Sequence, residues 1–354
     1  MAQFITFQPK DYFNTKLYTG TDSSNAITGV GFQPDWVWLK KRSGVASHAI
    51  QDVVRGNTKT VRSNTDGAQY TNNFFSSFDS DGFTVATSES DVNASGATYA
   101  AWNWRAGTGA GSSNTDGSIN TTTTSVNTTA GISISTYSGT GSAATIGHGL
   151  GVVPQVMIVK NTYQSEHWIV YHHEIDNAAS GGGGAPEDKY IRLNESGSRA
   201  DFPMWNDTAP TSSVFSVGTS TSVNQAGGTF VAYCFAEKQG YSKFGSYKGN
   251  GNNDGPFVYT GFAPALVIIK VYNGTTGSWY IFDNKRPGYN DDASPLLANS
   301  TSAESGTGFL DINSTGFKLR HNADDYNGDN MDYAYLAFAE HPLVSSNDVP
   351  GVAK

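Results

Sequence analysis

Three short apolar runs, each opened by a proline and closed by a lysine six positions later, constrain this chain more than any other feature. They are Pro34-Asp-Trp-Val-Trp-Leu-Lys40, Pro154-Gln-Val-Met-Ile-Val-Lys160 and Pro264-Ala-Leu-Val-Ile-Ile-Lys270. A short run of aromatic and β-branched residues, bounded by a turn and a charge, reads as a strand buried on both faces. The first run carries Trp36 and Trp38 where its echoes carry aliphatic residues. A binding face needs the rings, whereas a core strand needs only apolar volume. Residues 31–41 therefore read as a core strand, used three times.

Other stations recur in step with it. A strand ending in Tyr-x-Gly precedes each proline by 16 or 17 residues, at Tyr18, Tyr137 and Tyr247. A second strand starts eight or nine residues after each lysine: His48-Ala-Ile-Gln-Asp52, Trp168-Ile-Val-Tyr171 and Trp279-Tyr-Ile-Phe-Asp283. The short gap predicts a hairpin. The closing strands are Tyr99 to Trp104, Phe230 to Phe235 and Tyr333 to Phe338, and a further strand precedes each (Gly82 to Val85, Val214 to Val217, Gly316 to Leu319).

Repeats of about 110–120 residues, the spacing of Pro34, Pro154 and Pro264, exceed solenoid units and suit small antiparallel sandwiches. The expected fold is all-β: three tandem, related antiparallel β-sandwich units of lectin or jelly-roll type, spanning 1–107, 108–239 and 240–354. Composition agrees, with 15% charged residues, few helix formers and 12% aromatics. Residues 107–131, rich in Gly, Ser, Asn and Thr, read either as a flexible tether or as containing an edge strand within Ile119 to Val126. The second junction has no spacer, so units two and three should pack together. The Gly-rich tract from Ser180 reads as a mobile loop insertion, and Pro342 to Lys354 as a tail.

A net charge of −9, with no basic cluster beyond Lys40-Lys41-Arg42, argues against nucleic-acid binding. The lone Cys234 excludes an internal disulfide and a Cys-type zinc site. No signal peptide or membrane-spanning run is read, and no cofactor is expected.

The motifs Gly31 to Lys40, Phe78-Asp-Ser-Asp-Gly-Phe-Thr-Val85, Gly255-Pro-Phe-Val-Tyr-Thr-Gly-Phe262, Trp279 to Asp283, Gly316 to Arg320 and Ala337-Phe-Ala-Glu340 together resemble a family of tandem-repeat proteins from tailed bacteriophages. It is common in marine and cyanobacterial phages, and its members are known as virion structural, tail-fibre or uncharacterised proteins. The resemblance runs from about Phe7 to Glu340. It implies a particle component, made in the bacterial cytoplasm and carried on the virion, with other virion proteins and further copies of itself as partners. It brings no catalytic residues.

Each residue group that could carry chemistry also has a plainer role. Asp79-Ser-Asp81-Gly82 imitates the start of a calcium loop but lacks the closing glutamate, and a hairpin turn explains it. Asp324, Asp325 and Asp329 form a denser acidic loop, a weak cation candidate. Asp52 with Arg55, and Asp283 with Arg286, read as strand-end ion pairs or turn caps. His172 and His173, adjacent on a strand, should face opposite ways, so with His167 they suggest a surface or interface role rather than a metal site. No glycosidase carboxylate pair, nucleophile elbow or zincin helix is recognisable, so a non-enzymatic role is expected. Loop aromatics Tyr163, Tyr190, Trp205 and Tyr289 are the residues expected to stack on a host-surface glycan. The expected role is a fibre or spike subunit with host adhesion. Capsid decoration or connection, and depolymerisation of envelope glycan, are the alternatives.

Overall fold

The computed structural model describes residues 8–86, 89–176, 184–286, 294–306 and 308–341. It is almost entirely β, built from antiparallel sheets in sandwich-like pairs. Three large sheets share one order. The first runs Phe13–Thr19, Thr98–Trp104, Trp36–Lys41, Ala49–Asp52. The second contains Ile132–Ser138, Thr229–Phe235, Val156–Asn161, Ile169–His172 in the same sequence. The third contains Ser242–Lys248, Asp332–Ala339, Pro264–Asn273, Trp279–Asp283. The closing strand thus lies between the Tyr-x-Gly strand and the proline-to-lysine strand, and the latter forms the expected hairpin with its successor. All strands of each large sheet fall within one of the ranges 1–107, 108–239 and 240–354.

Each large sheet has a small sheet over one face. These three covering sheets comprise Asn25–Thr28, Gly82–Val85 and Phe75–Asp79; Ala144–Gly147 and Val214–Val217; and Phe257–Tyr259, Gly316–Leu319 and Leu310–Asn313. Side chains alternate across a strand, and here both sides are apolar. Val37, Leu39, Tyr99 and Ala101 meet Ile27, Phe83 and Val85 of the first small sheet. The intervening Trp36, Trp38, Trp102 and Trp104 point the other way, into a core to which all three large sheets contribute. Val156, Ile158, Tyr233 and Phe235 enter it from the second sheet; Leu266, Ile268, Leu336 and Phe338 enter from the third. Trp36 lies 4.7 Å from Tyr233 between ring centroids, and Phe338 lies 5.6 Å from Trp104 and 5.9 Å from Phe235. The sequence predicts contact between the second and third sheets; the structure joins all three.

Residues 107–131 are not a flexible tether but include an edge strand of the second large sheet. Thr123–Asn127 pairs with Ile132–Ser138, and Ile119 bridges Ile146 in parallel. Ser180 to Gly183 and the tail from Pro342 lie outside the described residues.

Candidate functional site

The sheets are cross-linked by polar contacts that recur at corresponding positions and close a ring. Lys40, Lys160 and Lys270 are buried despite their charge. Lys160 donates to the Asp66 carbonyl at 2.8 Å, Lys270 to the Ser196 carbonyl at 2.9 Å, and Lys40 to the Thr301 carbonyl at 3.2 Å. Each also donates to a carbonyl of its own hairpin: Glu166, Gly277 and Lys41. A buried ammonium is tolerable only when so bonded, and burial still pulls all three down to about 8.

The same three junctions carry a ring nitrogen. Trp168 donates to the Arg62 carbonyl and Trp279 to the Arg192 carbonyl, both at 2.9 Å. In the first sheet His48 takes this place, 2.9 Å from the Leu297 carbonyl. Its Nδ1 lies 2.8 Å from the Trp38 indole nitrogen. Indole can only donate, so Nδ1 accepts and Nε2 carries the proton given to Leu297.

A second set runs round the other way. Asp52 Oδ2 accepts from Arg55 and from the Tyr233 hydroxyl of the second sheet. Asp283 Oδ2 accepts from Arg286 and from the Trp102 indole of the first sheet. Burial opposes ionisation of Asp283, but Arg286 and Trp102 outweigh it, leaving the carboxyl below its usual range. The third sheet offers Leu336 at this place, which has no donor, and the second sheet carries His172, 3.2 Å from the Tyr335 carbonyl. Both Asp–Arg pairs are also turn caps, through Arg55 N and Arg286 N on the carboxylates. That agrees with the sequence reading.

His172 and His173 do not face opposite ways. The strand ends at His172, and the rings stack at 5.4 Å. Both reach the third sheet, His173 through the Phe244 carbonyl at 2.7 Å, so of the two expected roles they take that of contacts between sheets.

The expected glycan-stacking residues separate. Tyr163 is 62% exposed on a turn. Trp205 is 0% exposed: its ring lies edge-on to Tyr171 and its indole donates to the Lys189 carbonyl. Tyr190 is buried in the same core. Neither presents a face to a ligand, because the turn holding Trp205 folds back onto the second sheet. Tyr289 lies outside the described residues.

Asp324, Asp325 and Asp329 are not gathered into a ligand set; among the described residues no three metal-binding side chains converge. Asp325 instead accepts from the Tyr280 hydroxyl at 2.6 Å. Asp79 and Gly82 close a hairpin, and Asp81 caps Gly29 and Gly31 at 2.9 and 2.7 Å. The turn reading is correct.

Sequence reasoning missed the aromatic pair that does reach solvent. Phe257 is 48% and Tyr259 65% exposed, on one face of an edge strand with Val258 turned inward. Register gives the corresponding residues as Ala26 and Thr28 in the first small sheet, and Thr145 and Gly147 in the second. The comparison was available in the sequence, once the strands flanking Ile27, Ile146 and Val258 are aligned.

Over residues 8–342 the chain matches the family described as a domain of unknown function (DUF7483). No curated protein matches it. No helix among the described residues is long and apolar enough to cross a membrane.

Proposed function

The chain belongs to the DUF7483 family, and we propose that it is a non-enzymatic structural component of a tailed-phage virion, displayed as a fibre or spike subunit that adheres to the host surface. The particle role rests on the resemblance of its motifs to tandem-repeat phage proteins. The observation that carries adhesion is the Phe257–Tyr259 pair. Two aromatic side chains stand in solvent on a strand whose inner residue, Val258, is anchored in the core. Aromatic rings offer large apolar area at low entropic cost, and they suit the apolar face of a sugar. The ring of cross-sheet bonds gives such a platform a fixed base. Other virion proteins and further copies of the chain are its expected partners.

Two measurements test this reading. Labelled protein should bind host cells, and a Phe257→Ala/Tyr259→Ala double variant should bind about tenfold less or weaker, as loss of aromatic anchors does elsewhere. Equal binding by the variant would remove these residues as the adhesion platform. Antibody labelling of intact particles should mark a fibre or spike; label spread uniformly over the shell would instead assign a capsid-decorating role.

A further inference from the structure

At the junction of the first and second large sheets lies a cleft of about 340 Å³, lined by Tyr12, Arg105, Thr108, Asn127, Thr128 and Thr129 among others. The volume is at the low end for small-molecule sites, which run from about 300 Å³ upward. We propose that this cleft binds a carboxylated sugar: the carboxylate on Arg105, the sugar ring against Tyr12, and its hydroxyls among the threonines. The proposal is independent of where on a particle the chain sits and of the Phe257–Tyr259 platform.

Three observations carry it. The first is the charge. Among the described residues every other arginine is paired with a carboxylate. Arg105 makes no ion pair there; its Nε reaches only the Thr108 hydroxyl, at 3.4 Å, and its guanidinium carbon stands 6.0 Å from the centre of the Tyr12 ring. The Asp35 carboxylate feels its charge without pairing with it, so the terminal nitrogens stay open to a planar, two-oxygen anion, the partner a guanidinium suits best.

The second is a departure from the pattern of the other sheets. Arg105 N bonds the Tyr12 carbonyl, and the corresponding bonds join Ala236 to Gly131 and Ala339 to Tyr241. Alanine therefore serves at this position in the second and third sheets, buried in both. The arginine is not needed to end the strand.

The third is a loop held in a conformation with a cost. Thr108 has φ +60°, a left-handed backbone that a β-branched residue rarely adopts. The buried Asp35 fixes it by accepting from Thr108 N and Gly109 N, each at 2.9 Å. Both Asp35 oxygens are thereby engaged with the loop. Strain held by a dedicated clamp is a mark of functional loops, and here it sets the Thr108 hydroxyl beside Arg105. The hydroxyl-rich lining favours a saccharide over a bare inorganic anion.

Calorimetric titration of the full chain tests this with digalacturonate, the matching neutral digalactoside and inorganic phosphate as probes. Digalacturonate should bind, the neutral disaccharide about tenfold more weakly or worse, and Arg105→Ala should lose a similar factor, the scale of a hydrogen bond to a charged group. Arg105→Ala should melt as the parent does, since alanine occupies the corresponding positions; a matched Arg105→Lys variant should not restore binding, because it offers a point charge. Digalacturonate binding unchanged in Arg105→Ala, or no binding by the parent chain, would overturn the assignment. Phosphate binding as tightly as digalacturonate would overturn its sugar half.

Discussion

The Tyr233 hydroxyl donates to the Asp52 carboxylate at 2.7 Å, on the oxygen that also holds Arg55 at 2.6 Å. Tyr233 belongs to the second large sheet and Asp52 to the first, so one buried carboxylate ties an ion pair to a neighbouring sheet. Tyr233→Phe keeps the ring and removes only the hydroxyl, which also accepts from Arg55 at 3.3 Å. It should cost about 1.5–3 kcal/mol, the range for a hydrogen bond to a charged group. Urea denaturation of Tyr233→Phe, Asp52→Asn and the double variant should show non-additivity; simple addition would mean the two residues are not coupled.

The buried lysines set an alkaline dependence of stability. Burial lowers Lys40, Lys160 and Lys270 to about 8 from 10.5. Between these values the unfolded chain binds more protons than the folded one, so stability rises with pH through the window. Tyrosines whose folded values are raised above 10.0 reverse the trend beyond that pH. Denaturation midpoints should therefore climb from pH 7.5 to 9.5. Lys160→Met should reduce the slope by roughly a third if the three act alike.

Acid acts in part through His48 and His172. Burial holds His48 and His172 neutral, down to about 3. Each uses one nitrogen as acceptor, from Trp38 and from Glu174 N, and the other as donor, to Leu297 and Tyr335. A second proton would set donor against donor. The folded values lie below the unfolded value of 6.5, so their contribution is complete above it and is lost as pH falls toward 3. The two C2-proton resonances should show no titration between pH 8 and 5 while the protein stays folded.

Trp205 and Phe257 should separate core from surface. Trp205→Ala opens a cavity in the second core and should cost about 3–5 kcal/mol. Phe257→Ala, on the exposed face, should stay within about 0.5 kcal/mol. Thermal melts of the two variants decide this, and a large loss for Phe257→Ala would place that ring in packing rather than recognition.

The strands were legible because their signals are local. Trp36 to Leu39 alternates large residues with a turn before and a charge after, and Trp36, Val37, Trp38 and Leu39 are all buried. That pattern says that both faces are covered but not by what. Besides Trp104 of its own sheet, Trp36 stacks on Tyr233, far along the chain. Trp205 lies in a loop, which suggests exposure, but the turn folds inward onto Tyr171. Phe257 and Tyr259 were hidden inside a motif valued for its resemblance. Only their contrast with Ala26, Thr28, Thr145 and Gly147 sets them apart. Arg105 carries no local signal at all, since its freedom depends on where every carboxylate ends up.

The bonds from Lys40 to Thr301 and from Arg42 to Glu304 span 261 and 262 residues. A nascent chain that has emerged only through the second large sheet holds Trp36, Trp38 and Trp104 with nothing of the third sheet to cover them. Such distant closure is slow, and it postpones the native state until translation is nearly complete. A ribosome-stalled fragment ending near residue 240 should therefore remain open to protease, while the released chain becomes resistant. During synthesis the exposed tryptophans would make the incomplete polypeptide a client for chaperones.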